Sequence, residues 1–160
     1  MATQENGAIT FSYGASTLFN DVCLISAFMT KDLVNESGSA TDSFIITEDE
    51  KDLFDLCVKQ ALPKIYDELI KMTVCTSGFS NTTTNISISV RDNGSYNSNV
   101  LPLVETSIYD CIKYGVLTEF YSICTNAALF GIVNGKYNET LRLLNQRLYQ
   151  LKKRSVSSLY

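Results

Sequence analysis

The sequence contains no histidine and no tryptophan among its 160 residues. Histidine is the side chain best suited to proton transfer near neutral pH and is the commonest metal ligand, so its absence removes the usual basis for acid–base catalysis. Glycine is also sparse, and none of the glycines belongs to a phosphate-binding pattern such as G-x-x-x-x-G-K. We therefore predict a protein that is not an enzyme, with no catalytic residue, no metal site and no cofactor.

Cysteine pairs with the spacing of a redox or metal motif are absent as well. The cysteines are odd in number, and most lie in apolar, helix-like stretches: Cys23, Cys57, Cys75, Cys111 and Cys124. We expect them to act as small buried hydrophobic side chains in a reducing compartment. Residues 1–7 lack the basic and apolar regions of a secretion signal, so we expect none there. Charged residues interrupt the apolar stretch at 103–130, so we expect no membrane span.

Basic residues are scarce outside the C-terminal end. Residues 1–135 contain seven Lys or Arg against sixteen Asp or Glu, whereas residues 136–160 contain six against one. A basic end on an acidic body is typical of chains that orient themselves on a partner by charge. The alternative is a solvated last helical turn, whose cations favour the helix C-terminus. Sequence-specific DNA binding is not expected, because the rest of the chain is acidic.

The length and the hydrophobic content suit one domain spanning residues 1–160. Apolar residues spaced by three and four predict helices at about 15–34, 47–72, 102–130 and 137–154. Alternating apolar residues indicate a short strand at 8–12 and a β-ribbon at about 73–91, made by strands at 73–77 and 85–91. The predicted fold class is mainly α: an antiparallel bundle of about four helices with a small β-ribbon insertion.

Two details of the helices can be predicted from local spacing. Thr47 and Glu50 have the spacing of a capping box at the start of the second helix. The expected inner face of the first helix consists of Leu18, Val22, Ile25, Phe28 and Met29.

The predicted third helix is apolar on almost every side, and we expect Gly131 and Gly135 to separate it from the fourth. A helix that is apolar all round must be buried against several neighbours. Other subunits are a natural place for the surface that one copy leaves uncovered. The pattern therefore predicts assembly rather than chemistry.

The expected contacts join the basic end of one subunit to an acidic surface on its neighbour or on another protein of the same assembly. The carboxylates at the start of the second helix are typical of a helix N-terminus, where the macrodipole favours anions, and their spacing matches no calcium loop. Tyrosines carry much of the contact energy at protein interfaces. The predicted interface residues are Asp49, Asp52, Asp55, Tyr114, Tyr121, Tyr149, Arg147, Lys152, Lys153 and Arg154.

Three segments resemble a family of known proteins: FIITEDEKDLFDLCVKQA at 44–61, IYDCIKYGVLTEFY at 108–121 and YNETLRLLNQRLYQLKKR at 137–154. They are similar to the head-to-tail connector, or ring, proteins of tailed bacteriophages, and of crAss-like phages in particular. The chain departs from that group's third-helix pattern, because it has Phe120 and Tyr121 there and no tryptophan.

The resemblance implies a helical bundle with a small β element, present as identical subunits in a ring beneath the portal and next to other connector or tail proteins. It implies a virion protein at the head-tail interface that forms part of the DNA conduit, lies close to packaged DNA without specific recognition, and is in the bacterial host cytoplasm during assembly. It implies no catalysis. The alternative prediction is a small protein-binding module or assembly chaperone that engages a partner helix through its bundle.

Overall fold

The computed structural model describes residues 2–5, 8–31, 44–72, 79–82, 84–91 and 97–151, which form four α-helices and one small sheet. The elements in chain order are β1 (Ala2–Glu5), β2 (Ala8–Gly14), α1 (Ala15–Thr30), α2 (Lys51–Met72), β3 (Phe79–Asn81), β4 (Asn85–Arg91), α3 (Leu101–Ile123) and α4 (Ala127–Leu151). Single 3-10 turns at Glu48–Glu50 and Ser98–Val100 lead into α2 and α3. The predicted mainly α fold with a small β element is confirmed.

The central element of the bundle is α3, which is packed against α1, α2 and α4. Each of the following side chains in α3 is at most 1 % exposed: Val104, Ile108, Cys111, Ile112, Val116, Leu117, Phe120 and Tyr121. The prediction that this helix is buried against several neighbours is therefore confirmed. Within one chain the other helices cover most of its apolar surface, and Leu103 and Ile123 remain 48 % and 44 % exposed.

The sheet has the strand order β1-β2-β4-β3, and every pair is antiparallel. Ile9 and Phe11 of β2 and Ile86 and Ile88 of β4 point into the core, and Phe11 is in register with Ile88. Tyr13 extends from β2 to α3, where its hydroxyl donates a hydrogen bond of 2.8 Å to the Glu105 carbonyl. The sheet therefore covers one side of the bundle and is fixed to it by both apolar and polar contacts.

The predicted β-ribbon is only partly correct. The strands at 8–12 and 85–91 are confirmed, but 73–77 lies outside the described residues, and 79–81, expected to be loop, forms β3. β4 has a partner on each side, because β2 and β3 both pair with it. Matching apolar alternation in β2 and β4 gives the two strands complementary faces, which favours their pairing.

The turn between α3 and α4 lies at residues 124–126, and the predicted break at Gly131 and Gly135 is wrong. Thr125 adopts a left-handed conformation, with φ at 54°, and Asn126 caps α4 by accepting a hydrogen bond of 3.0 Å from the Leu129 amide. Both glycines lie inside α4, exposed on its surface. A left-handed residue followed by an N-cap ends one helix and starts the next, whereas an isolated helical glycine costs only about 1 kcal/mol.

The first helix begins at Ala15 as predicted, whereas α2 begins at Lys51 rather than near residue 47, because residues 48–50 form a 3-10 turn. The capping box before α2 is confirmed, with the Thr47 amide donating to the Glu50 carboxylate at 2.8 Å. That contact and the Thr47 hydroxyl lower the pKa of Glu50. The α1 helix ends at Thr30, and residues 32–34, predicted to continue it, lie outside the described residues.

Candidate interaction surfaces

The predicted acidic surface lies at the start of α2 and is partly neutralised within the chain. Asp49 and Asp52 are exposed, whereas Asp55 forms an ion pair of 2.9 Å with Lys51. The Lys51 ammonium also lies 4.7 Å from the centre of the Phe19 ring. Two of the three predicted carboxylates, Asp49 and Asp52, therefore remain exposed, with Lys51 next to them.

The predicted tyrosines differ in accessibility. Tyr121 is fully buried, and its hydroxyl donates to the Phe44 carbonyl at 3.2 Å, so the prediction that it lies at an interface is wrong. An all-round apolar helix offers no sequence feature that distinguishes a core tyrosine from a contact tyrosine. Tyr114 is half-buried against the core, and Tyr149 is 60 % exposed on α4. Of these three, Tyr149 is the most accessible to a partner.

Arg147 holds α4 against α3 within the chain. Its guanidinium donates to the Leu103 carbonyl at 2.8 Å and to the Ser107 hydroxyl. One terminal nitrogen of the guanidinium, Nη1, is therefore engaged inside the molecule, which fixes Arg147 against α3. The other members of the predicted basic end, Lys152, Lys153 and Arg154, lie outside the described residues.

Two exposed apolar surfaces were not predicted. Leu24 and Phe28 are one helical turn apart on α1 and are 71 % and 68 % exposed, so the assignment of Phe28 to the inner face is wrong. On α4, Ile132 is 58 % exposed and lies between Gly131 and Gly135, and a Cβ on either glycine would have no atom within 4 Å. Large exposed apolar side chains grouped on one surface are typical of interaction sites.

A groove of about 390 Å³ lies where β2, α1 and α3 meet. Its floor contains Tyr13 and Tyr109, whose rings stack with centroids 5.1 Å apart. Tyr109 donates a hydrogen bond of 2.7 Å to an Asp21 carboxylate oxygen, and Glu105 lies beside Tyr13. Burial and nearby carboxylates raise the pKa of both tyrosines, so both hydroxyls stay protonated and hold these bonds at neutral pH. The groove combines aromatic surface with negative charge.

The described cysteines are free thiols. Cys57 and Cys111 are buried, while Cys23 and Cys124 are half-buried; Cys75 lies outside the described residues. Burial raises the pKa of both Cys57 and Cys111 to about 12, so at neutral pH these thiols are protonated and unreactive. They behave as the buried hydrophobic side chains that the sequence predicts.

Among the residues that the structure describes, no group of three or more Cys, Asp or Glu side chains is placed to hold a metal ion. The same part of the chain contains no helix with the length and apolarity needed to cross a membrane. Comparison with models of known protein families, with curated proteins and with solved structures finds no match to this chain.

Proposed function

We propose that this protein is a structural virion component, a subunit of a head-to-tail connector ring that stacks on the portal and lines part of the DNA conduit. The observation that carries the proposal is the pair of unlike exposed apolar surfaces, one around Leu24 and Phe28 on α1 and one around Ile132 on α4. The similarity to connector proteins, at residues 44–61, 108–121 and 137–154, is the reason for proposing a connector ring rather than another kind of assembly.

Two unlike surfaces on one subunit are what a ring requires. A head-to-tail contact joins one patch to a different patch on the next copy, and it closes into a ring when the rotation allows. Leu24 and Phe28 project from α1, whereas Gly131 and Gly135 leave the surface of α4 flat beside Ile132. Projecting side chains on one surface and exposed backbone on the other are complementary in shape. The uneven charge of the two ends of the chain orients such a contact further.

The proposal is tested by measuring the mass of the assembled protein. We expect the full chain to form closed oligomers, alone or on the portal of the same virion, in mass photometry and in negative-stain images. The double variant Leu24→Ser/Phe28→Ser removes the α1 surface and should abolish them. The matched control is Leu56→Ser/Ile70→Ser on α2, two side chains that are also exposed, at 45 % and 40 %, and it should assemble normally.

A deletion variant tests the basic C-terminal end. Removing residues 152–160 should weaken or prevent oligomer formation if the basic segment contacts a neighbour or the portal. A full chain that stays monomeric both alone and with the portal present would rule out the connector function.

A second function, a protein-binding module or assembly chaperone, is favoured by one observation. Most of the apolar surface of α3 is covered within a single chain, as is expected of a protein that is stable alone. On that hypothesis the protein stays monomeric at every concentration and forms a one-to-one complex with a partner helix. Light scattering after size-exclusion chromatography distinguishes the two functions, because only the connector subunit gives a closed multiple of its own mass.

A further inference from the structure

We infer that two free copies of this protein pair reversibly through the exposed face of α1, with the two helices antiparallel, and that this pairing covers the α1 surface until assembly begins. The inference goes beyond the proposed function, because it gives the surface around Leu24 and Phe28 a second partner. That surface can hold only one partner at a time, so pairing and ring formation exclude each other.

The outward face of α1 has the spacing of a coiled-coil seam. Four of the residues along it are exposed and Asp21 is half-buried. They are separated alternately by four and three positions: Thr17, Asp21, Leu24, Phe28 and Lys31. A helix with this repeat presents one narrow stripe to one facing helix. The stripe therefore fits a second helix.

The apolar centre of the stripe provides the contact energy. Leu24 and Phe28 are 71 % and 68 % exposed, more than any other large apolar side chain in the described part of the chain. Burying them on both copies removes apolar surface from water, which is the main favourable term in association. The helix has 16 residues, and at about 1.5 Å per residue it is roughly 24 Å long. A contact along so short a helix buries little area and is therefore reversible.

The charged ends of the stripe set the direction of pairing. In an antiparallel pair with its two-fold axis beside residue 26, Leu24 lies opposite the partner's Phe28, and Asp21 lies opposite the partner's Lys31. A two-fold contact repeats each pair, so both occur twice in the dimer. A parallel pair would instead place aspartate against aspartate and lysine against lysine, which is unfavourable.

The contacts that the two charged side chains already make are compatible with this pairing. The Tyr109 hydroxyl donates a hydrogen bond of 2.7 Å to Oδ2 of Asp21, and carboxylate oxygens accept more than one such bond. The Lys31 ammonium lies 4.3 Å from the centre of the Phe28 ring of its own chain, which keeps it beside the apolar centre. Charge pairs at a surface add little affinity, but they discriminate between the two directions.

The direct test measures the mass of the full chain, without portal, as its concentration is raised. We expect analytical ultracentrifugation to show a monomer that converts reversibly to a dimer. Leu24→Ser/Phe28→Ser should remain monomeric, whereas the control Leu56→Ser/Ile70→Ser, which changes exposed side chains of α2, should dimerise. A full chain that is still monomeric at about 1 mM, or that passes directly from monomer to ring, would overturn the inference.

Charge reversal tests the direction of pairing. Lys31→Glu puts a carboxylate opposite the partner's Asp21 twice in each dimer and should weaken dimerisation by about tenfold or more. Asp21→Lys should weaken it similarly, and the double variant Asp21→Lys/Lys31→Glu, which restores opposite charges in the antiparallel pair alone, should dimerise again. The matched control is Lys59→Glu, an equal change of charge at an exposed residue of α2, which should dimerise normally. A double variant that dimerises no better than the single variants would overturn the inference.

A mixing experiment uses the two single variants together. The stripe of the Asp21→Lys chain carries two positive charges and that of the Lys31→Glu chain two negative charges, so each repels its own copies and attracts the other. We expect an equal mixture to give mixed dimers in native mass spectrometry, although each variant alone is monomeric. Absence of mixed dimers, with both variants folded by circular dichroism, would overturn the inference.

The same variants separate the dimer from the ring. Lys31→Glu changes only the charged end of the stripe and keeps Leu24 and Phe28, so it should still assemble on the portal. Rings formed by a chain that never dimerises would overturn the inference and leave the proposed function standing. Dimers formed by a chain that never assembles on the portal would support the inference and reject the proposed function.

Discussion

Gly115 of α3 lies directly against Ala61 of α2, so closely that a Cβ on Gly115 would be 3.3 Å from the Cβ of Ala61. The ring of Tyr137 on α4 would be equally close, at 3.3 Å. The absence of a side chain at residue 115 thus lets three helices approach each other at one point.

The variant Gly115→Val should lower the free energy of unfolding by about 1–3 kcal/mol, because added methyl groups in a filled interior force the helices apart. Gly131→Val is the matched control: that glycine is helical but has open space around it, so the change in stability should stay within about 0.5 kcal/mol. Urea denaturation followed by circular dichroism measures both. Equal effects of the two substitutions would contradict the close approach.

Thr125 holds a left-handed backbone conformation that costs an L-residue about 1–2 kcal/mol. Thr125→Gly should therefore stabilise the protein by about 0.5–1 kcal/mol, since glycine adopts this conformation without strain. Ser122→Gly, three residues earlier and within α3, should instead destabilise it by up to about 1 kcal/mol. Thermal unfolding of the two variants gives shifts of opposite sign if the turn has this conformation.

Asn126 caps the N-terminus of α4 through its side-chain oxygen. Asn126→Ala should destabilise the protein by about 1 kcal/mol, because the Leu129 amide loses its acceptor, and Asn126→Asp should retain most of the stability. The measurement is chemical denaturation, supported by hydrogen exchange of the amide of residue 129, which should speed up in the alanine variant alone. Unchanged exchange at that amide would show that the cap is not formed.

Alkaline pH should destabilise the fold through its buried thiols. Burial raises the pKa of Cys57 and Cys111 from 9.0 to about 12, so both remain protonated in the folded state at a pH where they ionise in the unfolded chain. A group with a raised folded pKa contributes its full stability below its unfolded value and loses it as pH rises, here between about pH 9 and 12.

The free energy of unfolding should therefore fall above pH 9, and each thiol contributes a slope of at most about 1.4 kcal/mol per pH unit. Urea titrations from pH 8 to pH 11 measure the slope, and the double variant Cys57→Ala/Cys111→Ala should reduce it. Burial also raises the pKa values of Tyr13, Tyr109, Tyr121 and Tyr137, and these tyrosines add a loss starting near pH 10 that the double variant keeps. A slope unchanged by removal of both thiols would disprove their part in it.

The sequence predicted features that depend on neighbouring residues and missed those that depend on distant ones. The capping box of Thr47 and Glu50 is local, and so it was visible in the spacing of the residues. Asn126 carries a similar signal, an N-cap residue before an apolar run, but Gly131 and Gly135 a few residues later are the stronger indicators of a helix break in the sequence. Cap geometry decided the boundary, and glycine inside a helix was tolerated.

The candidate surfaces were harder to predict, because helical periodicity identifies an apolar stripe but does not show how deeply each of its side chains is buried. Phe28 lies at the same spacing as the buried Leu18 and Val22, yet it is exposed together with Leu24. The groove could not be inferred at all, since Tyr13, Asp21 and Tyr109 meet only because β2 and α1 pack against α3. Contacts between residues almost ninety positions apart leave no trace in a local pattern.

The pairing of β2 with β4, in which Ala8 is opposite Arg91, sets the order in which the chain can fold during synthesis. β2 can pair with β1 as soon as both are made, but β4 is made much later, and closing so large a loop is slow. In contrast, α3 and α4 are joined by a three-residue turn and can pair as soon as both emerge. The edge of β2 that receives β4 therefore stays open until residues 85–91 have been made, and an open strand edge can pair with another chain.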